Sequence, residues 1–187
     1  KKFVISTGSK PTVPPIDGLD QVPYLTNETV FEEETLPESL IVIGAGTVGL
    51  ELAQSFVRLG SQVTVLEAQD DFLPKEDEDV ATYLKSQLEM AMRLKIGVKV
   101  NRVDEVDGRI RVTTEVNGET VEYEADKLLM ATGRVPRIDA LRLDRANVQV
   151  TKGYIDVSSS YRTSQSHIFA IGDTIKTLPF THAAGEE

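Results

Sequence analysis

The turn Gly44-Ala45-Gly46-Thr47-Val48-Gly49 constrains this chain more than any other feature. It follows the apolar run Leu40-Ile41-Val42-Ile43 and opens a stretch with apolar residues at helical spacing: Val48, Leu52, Phe56 and Leu59. A continuous apolar run suits a strand buried on both faces, as in a parallel sheet. Gly60 stands where a helix ends on glycine, and Val63-Thr64-Val65-Leu66 reads as the next buried strand. Strand, turn, helix and strand fit into about 28 residues, the size of a βαβ unit. In that context a GxGxxG turn reads as a dinucleotide site. Gly44 permits the tight turn, Gly46 lets a pyrophosphate approach the backbone, and Gly49 lets the helix pack close to the sheet. The helix N-terminus offers unpaired N–H groups and a partial positive charge to the phosphates.

Glu67 ends the second strand, 18 residues after Gly49. A carboxylate at that place accepts hydrogen bonds from both hydroxyls of an adenosine ribose and repels the 2′-phosphate of NADP. The residues that follow, Ala68-Gln69-Asp70-Asp71, bring no Arg or Lys to hold such a phosphate. NAD is therefore expected over NADP, although a solvated strand-end glutamate is the plainer reading of the same residue. Glu51, one turn into the helix, is favourable near a helix N-terminus with or without a ligand.

The rest of the chain reads as follows. Residues 2–6 form a short strand entering the turn Thr7-Gly8-Ser9. Residues 10–25 hold four of the eight prolines and make an irregular connector. Residues 27–34 form a short helix, with Thr26 or Asn27 as N-cap. Residues 76–94 form a second amphipathic helix, with Val80, Leu84, Leu88 and Ala91 on one side. Residues 98–100 supply a third parallel strand. Asp107-Gly108 and Asn117-Gly118 are two-residue hairpin signals, so residues 101–106, 109–116 and 119–124 make an antiparallel meander. Residues 127–131 return as an apolar strand, and short strands lie near 155–157 and 167–171. The expected fold is α/β: a Rossmann-like parallel sheet with helices and a three-stranded antiparallel β-meander.

Composition narrows the function. A net charge of −10 argues against nucleic acid as a partner. The acidic runs at 32–34 and 76–79 read as solvated helix surface. There is no Cys, and two His residues, His167 and His182, are too few for a metal cluster. No run of about 18 apolar residues offers a membrane-spanning helix. The opening residues are too short and too soon broken for a signal peptide, and Lys1 in place of Met suggests a processed or excised piece. A cytoplasmic location is expected.

Five stretches in order carry a resemblance. They are Ser6-Thr7-Gly8-Ser9, Val42 through Glu51, Glu67, Ala131-Thr132-Gly133-Arg134 and Ile168-Phe169-Ala170-Ile171-Gly172-Asp173. Together they resemble the pyridine nucleotide–disulfide oxidoreductases along the whole chain, lipoamide dehydrogenase and mercuric reductase above all. The resemblance implies that Gly44, Ala45, Gly46, Thr47, Val48, Gly49, Leu50 and Glu51 line the pyrophosphate and nicotinamide side of NAD. Glu67 would hold the ribose, with Val100 and Gly133 flanking the cofactor through backbone. Thr7, Gly8 and Ser9 match a turn that touches FAD, and Asp173 matches the aspartate at the flavin's sugar-alcohol chain. Pro179, Phe180, Thr181 and His182 match the segment entering the helix beside the flavin. Thr47 stands where some relatives place an aromatic gate.

The chain also departs from that family. It lacks the first glycine-rich FAD motif, the CxxxxC pair that passes electrons, and the dimerisation domain with its His–Glu pair. No catalytic residue is therefore expected within it. The expected division is the end of an FAD-domain segment with its connector at 1–35, the NAD domain at 36–133, and the returning FAD segment at 134–187. The expected function is the NAD(H)-binding part of a homodimeric FAD-dependent oxidoreductase; the alternative is a stand-alone NAD-binding module without catalysis.

Overall fold

Leu40 and Val42 face one side of their strand, Ile41 and Ile43 the other, and all four are buried. The computed structural model describes residues 1–116, 118–177 and the helix at 181–186. Strands β1 (Phe3–Ile5) and β2 (Ser9–Pro11) come first, then β3 (Ser39–Ile43), α1 (Thr47–Leu59), β4 (Gln62–Leu66), α2 (Glu78–Ala91) and β5 (Arg93–Lys95). Strands β6 (Lys99–Val106), β7 (Arg109–Val116), β8 (Glu119–Ala125) and β9 (Lys127–Met130) follow. Last come β10 (Arg134–Pro136), β11 (Val150–Thr151), β12 (Tyr154–Ile155), β13 (Ile168–Ala170) and α3 (Thr181–Glu186). The chain divides into two units: residues 1–10 with 134–187, and residues 11–133.

In the unit of residues 11–133, the parallel sheet has the order β5-β4-β3-β9. One face packs Leu40, Val42, Val63, Val65 and Leu129 against Leu50, Ala53 and Phe56 of α1 and Leu88 of α2. The other packs Ile41, Ile43, Leu66, Leu128 and Met130 against Val103, Ile110, Val112 and Ala125 of the β6-β7-β8 meander. A strand between two covered faces has no use for polar alternation, which is why β3 reads as an unbroken apolar run. Helix α1 stops at Gly60, whose φ of +113° is left-handed and whose N–H donates to the carbonyls of Phe56 and Val57. Helix α2 starts at Asp77, whose carboxylate accepts from the N–H groups of Asp79 and Val80.

Several expectations need correction here. The third parallel strand is β5, not residues 98–100: Leu66 pairs with Lys95 in parallel, whereas Val100 pairs with Thr114 in the antiparallel meander. Strand β5 has one buried residue, Leu94, between two exposed cations, so it leaves no apolar run to read. Helix α2 is shorter than 76–94, and its inward side is Ala81, Leu84 and Leu88; Val80 is 61 % exposed, and Ala91 also faces solvent. The helix expected at 27–34 is a single turn at Val30–Glu32. Residues 11–35 do not group with the first residues of the chain. Leu19 and Val22 join the core on the meander side and Leu25 and Val30 the core on the helix side, so this stretch packs with the unit of residues 11–133. Prolines hide the periodicity of this stretch, whose buried residues Leu19, Val22, Leu25 and Val30 are set singly among exposed ones such as Val13, Tyr24 and Phe31.

The unit of residues 1–10 and 134–187 is built on β1 running parallel to β13, with Phe3 opposite Ile168 and Ile5 opposite Ala170. Strand β2 pairs with β10, and β11 with β12 as a short hairpin. Val148, Ile155, Ala170 and Ile175 form its core. No helix among the described residues is long and apolar enough to cross a membrane.

Candidate functional site

Strand β3 has β4, reached through α1, on one side and β9, reached only after the meander, on the other. Strand order reverses there, and a crevice at the carboxyl end of such a strand is where open α/β sheets take ligands. The glycine turn leaves β3 at that end. Gly44 has a φ of +107°, and a Cβ on it would lie 2.4 Å from the carbonyl oxygen of Ala131. A Cβ on Gly49 would lie 2.1 Å from the carbonyl oxygen of Gly44. Both positions therefore require glycine for close packing of turn, helix and β9. Gly46 differs: its φ is −75°, and nothing lies within 4 Å of the place a Cβ would take. It caps α1 without any side-chain hydrogen bond to the helix. The first-turn N–H groups and the open space beside Gly46 fit the pyrophosphate of a dinucleotide.

Glu67 is brought to this turn. One carboxylate oxygen accepts the N–H of Ala45 at 2.7 Å, and the other accepts the N–H of Gln69 at 2.9 Å. Each oxygen keeps a second lone pair for a ligand hydroxyl. Glu51 lies exposed on α1. The N–H of Ala131 donates to the carbonyl of Ile43 at 2.8 Å, which sets the stretch Ala131-Thr132-Gly133 beside the turn. Gly133 has a φ of +125°, and its carbonyl accepts the N–H of Thr12 at 2.9 Å. The hydroxyl of Thr132 donates back to the carbonyl of Thr12 at 2.6 Å. Val100 stands apart from the parallel sheet, half-buried on β6. One group that the sequence did not reveal is Lys95, exposed at the end of β5 and in register with Leu66, so a cation ends the strand next to the one that leads into Glu67.

In the other unit, the turn after β1 and the turn after β13 meet. Ser9 is buried, and its hydroxyl donates to the Asp173 carboxylate. Nε of Arg134 donates to Oγ of Ser9 at 2.7 Å and Nη2 donates to its carbonyl at 2.8 Å. The hydroxyl of Thr7 donates to the carbonyl of Arg137 at 2.7 Å, and the N–H of Arg137 to the carbonyl of Gly8 at 2.8 Å. Arg134 is absent from the candidates read from sequence; its place beside Ser9 depends on residues 125 positions away. Pro179 and Phe180 lie outside the described residues. Thr181 and His182 begin α3, and their side chains also lie outside that set. Among the described residues, no group of His, Cys, Asp or Glu could hold a metal ion.

Comparison with known proteins agrees with this fold. Residues 1–187 match the family described as pyridine nucleotide-disulphide oxidoreductase. The chain is 35% identical over 190 residues to a dihydrolipoyl dehydrogenase of Bacillus subtilis, covering 100% of the chain and 40% of that relative. It is 36% identical over 189 residues to a mercuric reductase of Lysinibacillus sphaericus, covering 100% of the chain and 35% of that relative. Among solved structures, it matches the HOCl-induced flavoprotein disulfide reductase RclA of Escherichia coli, in its Cu(II) complex, with a TM-score of 0.92 at 30% identity. That match covers 100% of this chain and 43% of the other. The LpdA structure from Mycobacterium tuberculosis matches with a TM-score of 0.84 at 34% identity, over 98% of this chain and 40% of the other. The chain thus spans well under half the length of these relatives.

Proposed function

The chain belongs to the pyridine nucleotide-disulphide oxidoreductase family, and from that premise we propose that it carries the nicotinamide-dinucleotide site of an FAD-dependent oxidoreductase. One observation carries the reading: two glycines with no room for a Cβ bracket a third that faces open space, where strand order reverses. Gly44 to Glu51 would line the pyrophosphate and nicotinamide side, with the N-terminus of α1 offsetting phosphate charge. Glu67 would accept the ribose hydroxyls on the lone pairs that Ala45 and Gln69 leave. Its charge, with exposed Asp70 close by in sequence, disfavours a 2′-phosphate, so NAD is the proposed cofactor rather than NADP. Gly133 would flank the cofactor through its backbone, and Val100 keeps that role only as a backbone group on the meander.

Thr7, Gly8, Ser9 and Asp173 would face FAD, together with residues 179–182. In the whole enzyme the bound cofactors supply the redox chemistry, hydride exchange between NAD(H) and FAD. This chain's own residues bind, orient and exclude water. The parent would be a homodimer that is lipoamide dehydrogenase-like or mercuric reductase-like. Calorimetric titration of the chain with NADH and then NADPH tests the reading. Saturable NADH binding, tighter than NADPH, supports it; no heat from either up to about 1 mM, the weak end of specific affinity, overturns it.

A further inference from the structure

The hydroxyl of Ser9 joins the two turns that meet after β1 and β13. Ser9 Oγ accepts Nε–H of Arg134, so its one proton is left for the Asp173 carboxylate, which takes it on Oδ2. Arg134 grips the same residue a second time through the Ser9 carbonyl. Two donors from one planar guanidinium fix both main chain and side chain of Ser9. The other oxygen of Asp173, Oδ1, receives no hydrogen bond from the described residues. Asp173 itself sits in a short turn, Gly172–Thr174, held by the Thr174 hydroxyl on the Ile171 carbonyl at 2.7 Å. A carboxylate is thus bonded and turned through one oxygen while the other is left as an acceptor.

We propose that Ser9 and Arg134 are positioning residues, which hold Asp173 so that its free oxygen accepts a hydroxyl from the sugar-alcohol chain of a flavin. This rests on the flavin reading of Asp173 given above and adds the two residues that aim it. Ser9 lies 125 residues from Arg134 and 164 from Asp173 in the chain, so no local motif encodes the arrangement.

The test has a ligand-free arm and a flavin arm, both on the 187-residue chain. Three-bond couplings to Cγ of Asp173 report its χ1 rotamer. A single rotamer is expected in the native chain, averaged couplings in Ser9→Ala and Arg134→Gln, and restoration in Ser9→Thr, which keeps the hydroxyl. Quenching of flavin fluorescence then compares riboflavin, which carries the polyol chain, with lumiflavin, the same isoalloxazine ring with a methyl group in its place. Ser9→Ala is expected to weaken riboflavin about tenfold, the value of one hydrogen bond to a charged group, and to leave lumiflavin unchanged. Averaged couplings in the native chain overturn the proposal without reference to any flavin. Riboflavin bound equally well by native and Ser9→Ala chains overturns it while the flavin reading stands. No quenching of riboflavin by the native chain overturns the flavin reading and the proposal with it.

Discussion

The N–H of Ala45 donates to the carboxylate of Glu67 across 2.7 Å, which ties the middle of the glycine turn to the end of the neighbouring strand. Glu67 therefore has a structural task in the free chain besides any contact with a ribose. Glu67→Ala removes both, and NADH affinity is expected to fall about ten- to a hundredfold, the worth of one or two hydrogen bonds to a charged group. The preference over NADPH should shrink as well, because the negative charge facing the 2′-phosphate is gone. Glu67→Gln keeps one acceptor for Ala45 and should lose less NADH affinity. Calorimetric Kd ratios for the two cofactors measure this; an unchanged ratio in both variants removes Glu67 from the ribose.

The three glycines of the turn should separate stability from binding. Gly44→Ala places a Cβ on a carbonyl oxygen at a left-handed φ, and Gly49→Ala does so inside the first turn of α1. Each is expected to cost about 2 kcal/mol or more. Gly46→Ala meets nothing and has an ordinary φ, so stability should change by about 0.5 kcal/mol at most while NADH binding weakens. Urea denaturation alongside NADH titration distinguishes the two patterns.

Asp77 is the N-cap of α2, accepting from Asp79 N–H at 3.1 Å and Val80 N–H at 3.3 Å. Asp77→Ala should cost about 1 kcal/mol in urea denaturation. NADH affinity should be unaffected, since α2 supplies no residue of the glycine turn. Asp77→Asn should retain most of the stability.

The Arg102 guanidinium, hydrogen-bonded to Asp104 on the same strand, holds that carboxyl below its ordinary range. A folded value below the unfolded one means the carboxylate form stabilises the fold at neutral pH. That contribution is lost as pH falls through the depressed folded value. Arg102→Gln should move the Asp104 titration midpoint, followed by carboxyl NMR, up toward that of an ordinary aspartate. It should also make the meander less sensitive to acid.

Legibility in the sequence followed locality. Strands β3 and β4, α1 and its glycine cap could be read because adjacent residues bury together and repeat with a recognisable period. Strand β5 could not, because Arg93-Leu94-Lys95 has one buried side chain and two charged ones, as befits a sheet edge. In α2 the apolar Val80 and Ala91 suggested the wrong face, since tertiary packing chose Ala81, Leu84 and Leu88. Ser9 and Asp173 were reached only through family likeness, and Arg134 stood in one of the family-like stretches without a role. Their meeting depends on the parallel pairing of β1 with β13, which no local pattern announces.

The carbonyl of Gly133 accepts the N–H of Thr12 and the Thr132 hydroxyl donates back to the Thr12 carbonyl, so the unit of residues 11–133 begins and ends at one hydrogen-bonded place. A segment whose two ends already touch adds almost no closure entropy to the chain that receives it. Such a unit behaves topologically as a cassette: it can be inserted into a host, lost from it or grafted elsewhere at one surface point. The proposed nucleotide site, which falls wholly within residues 11–133, would be portable in that sense.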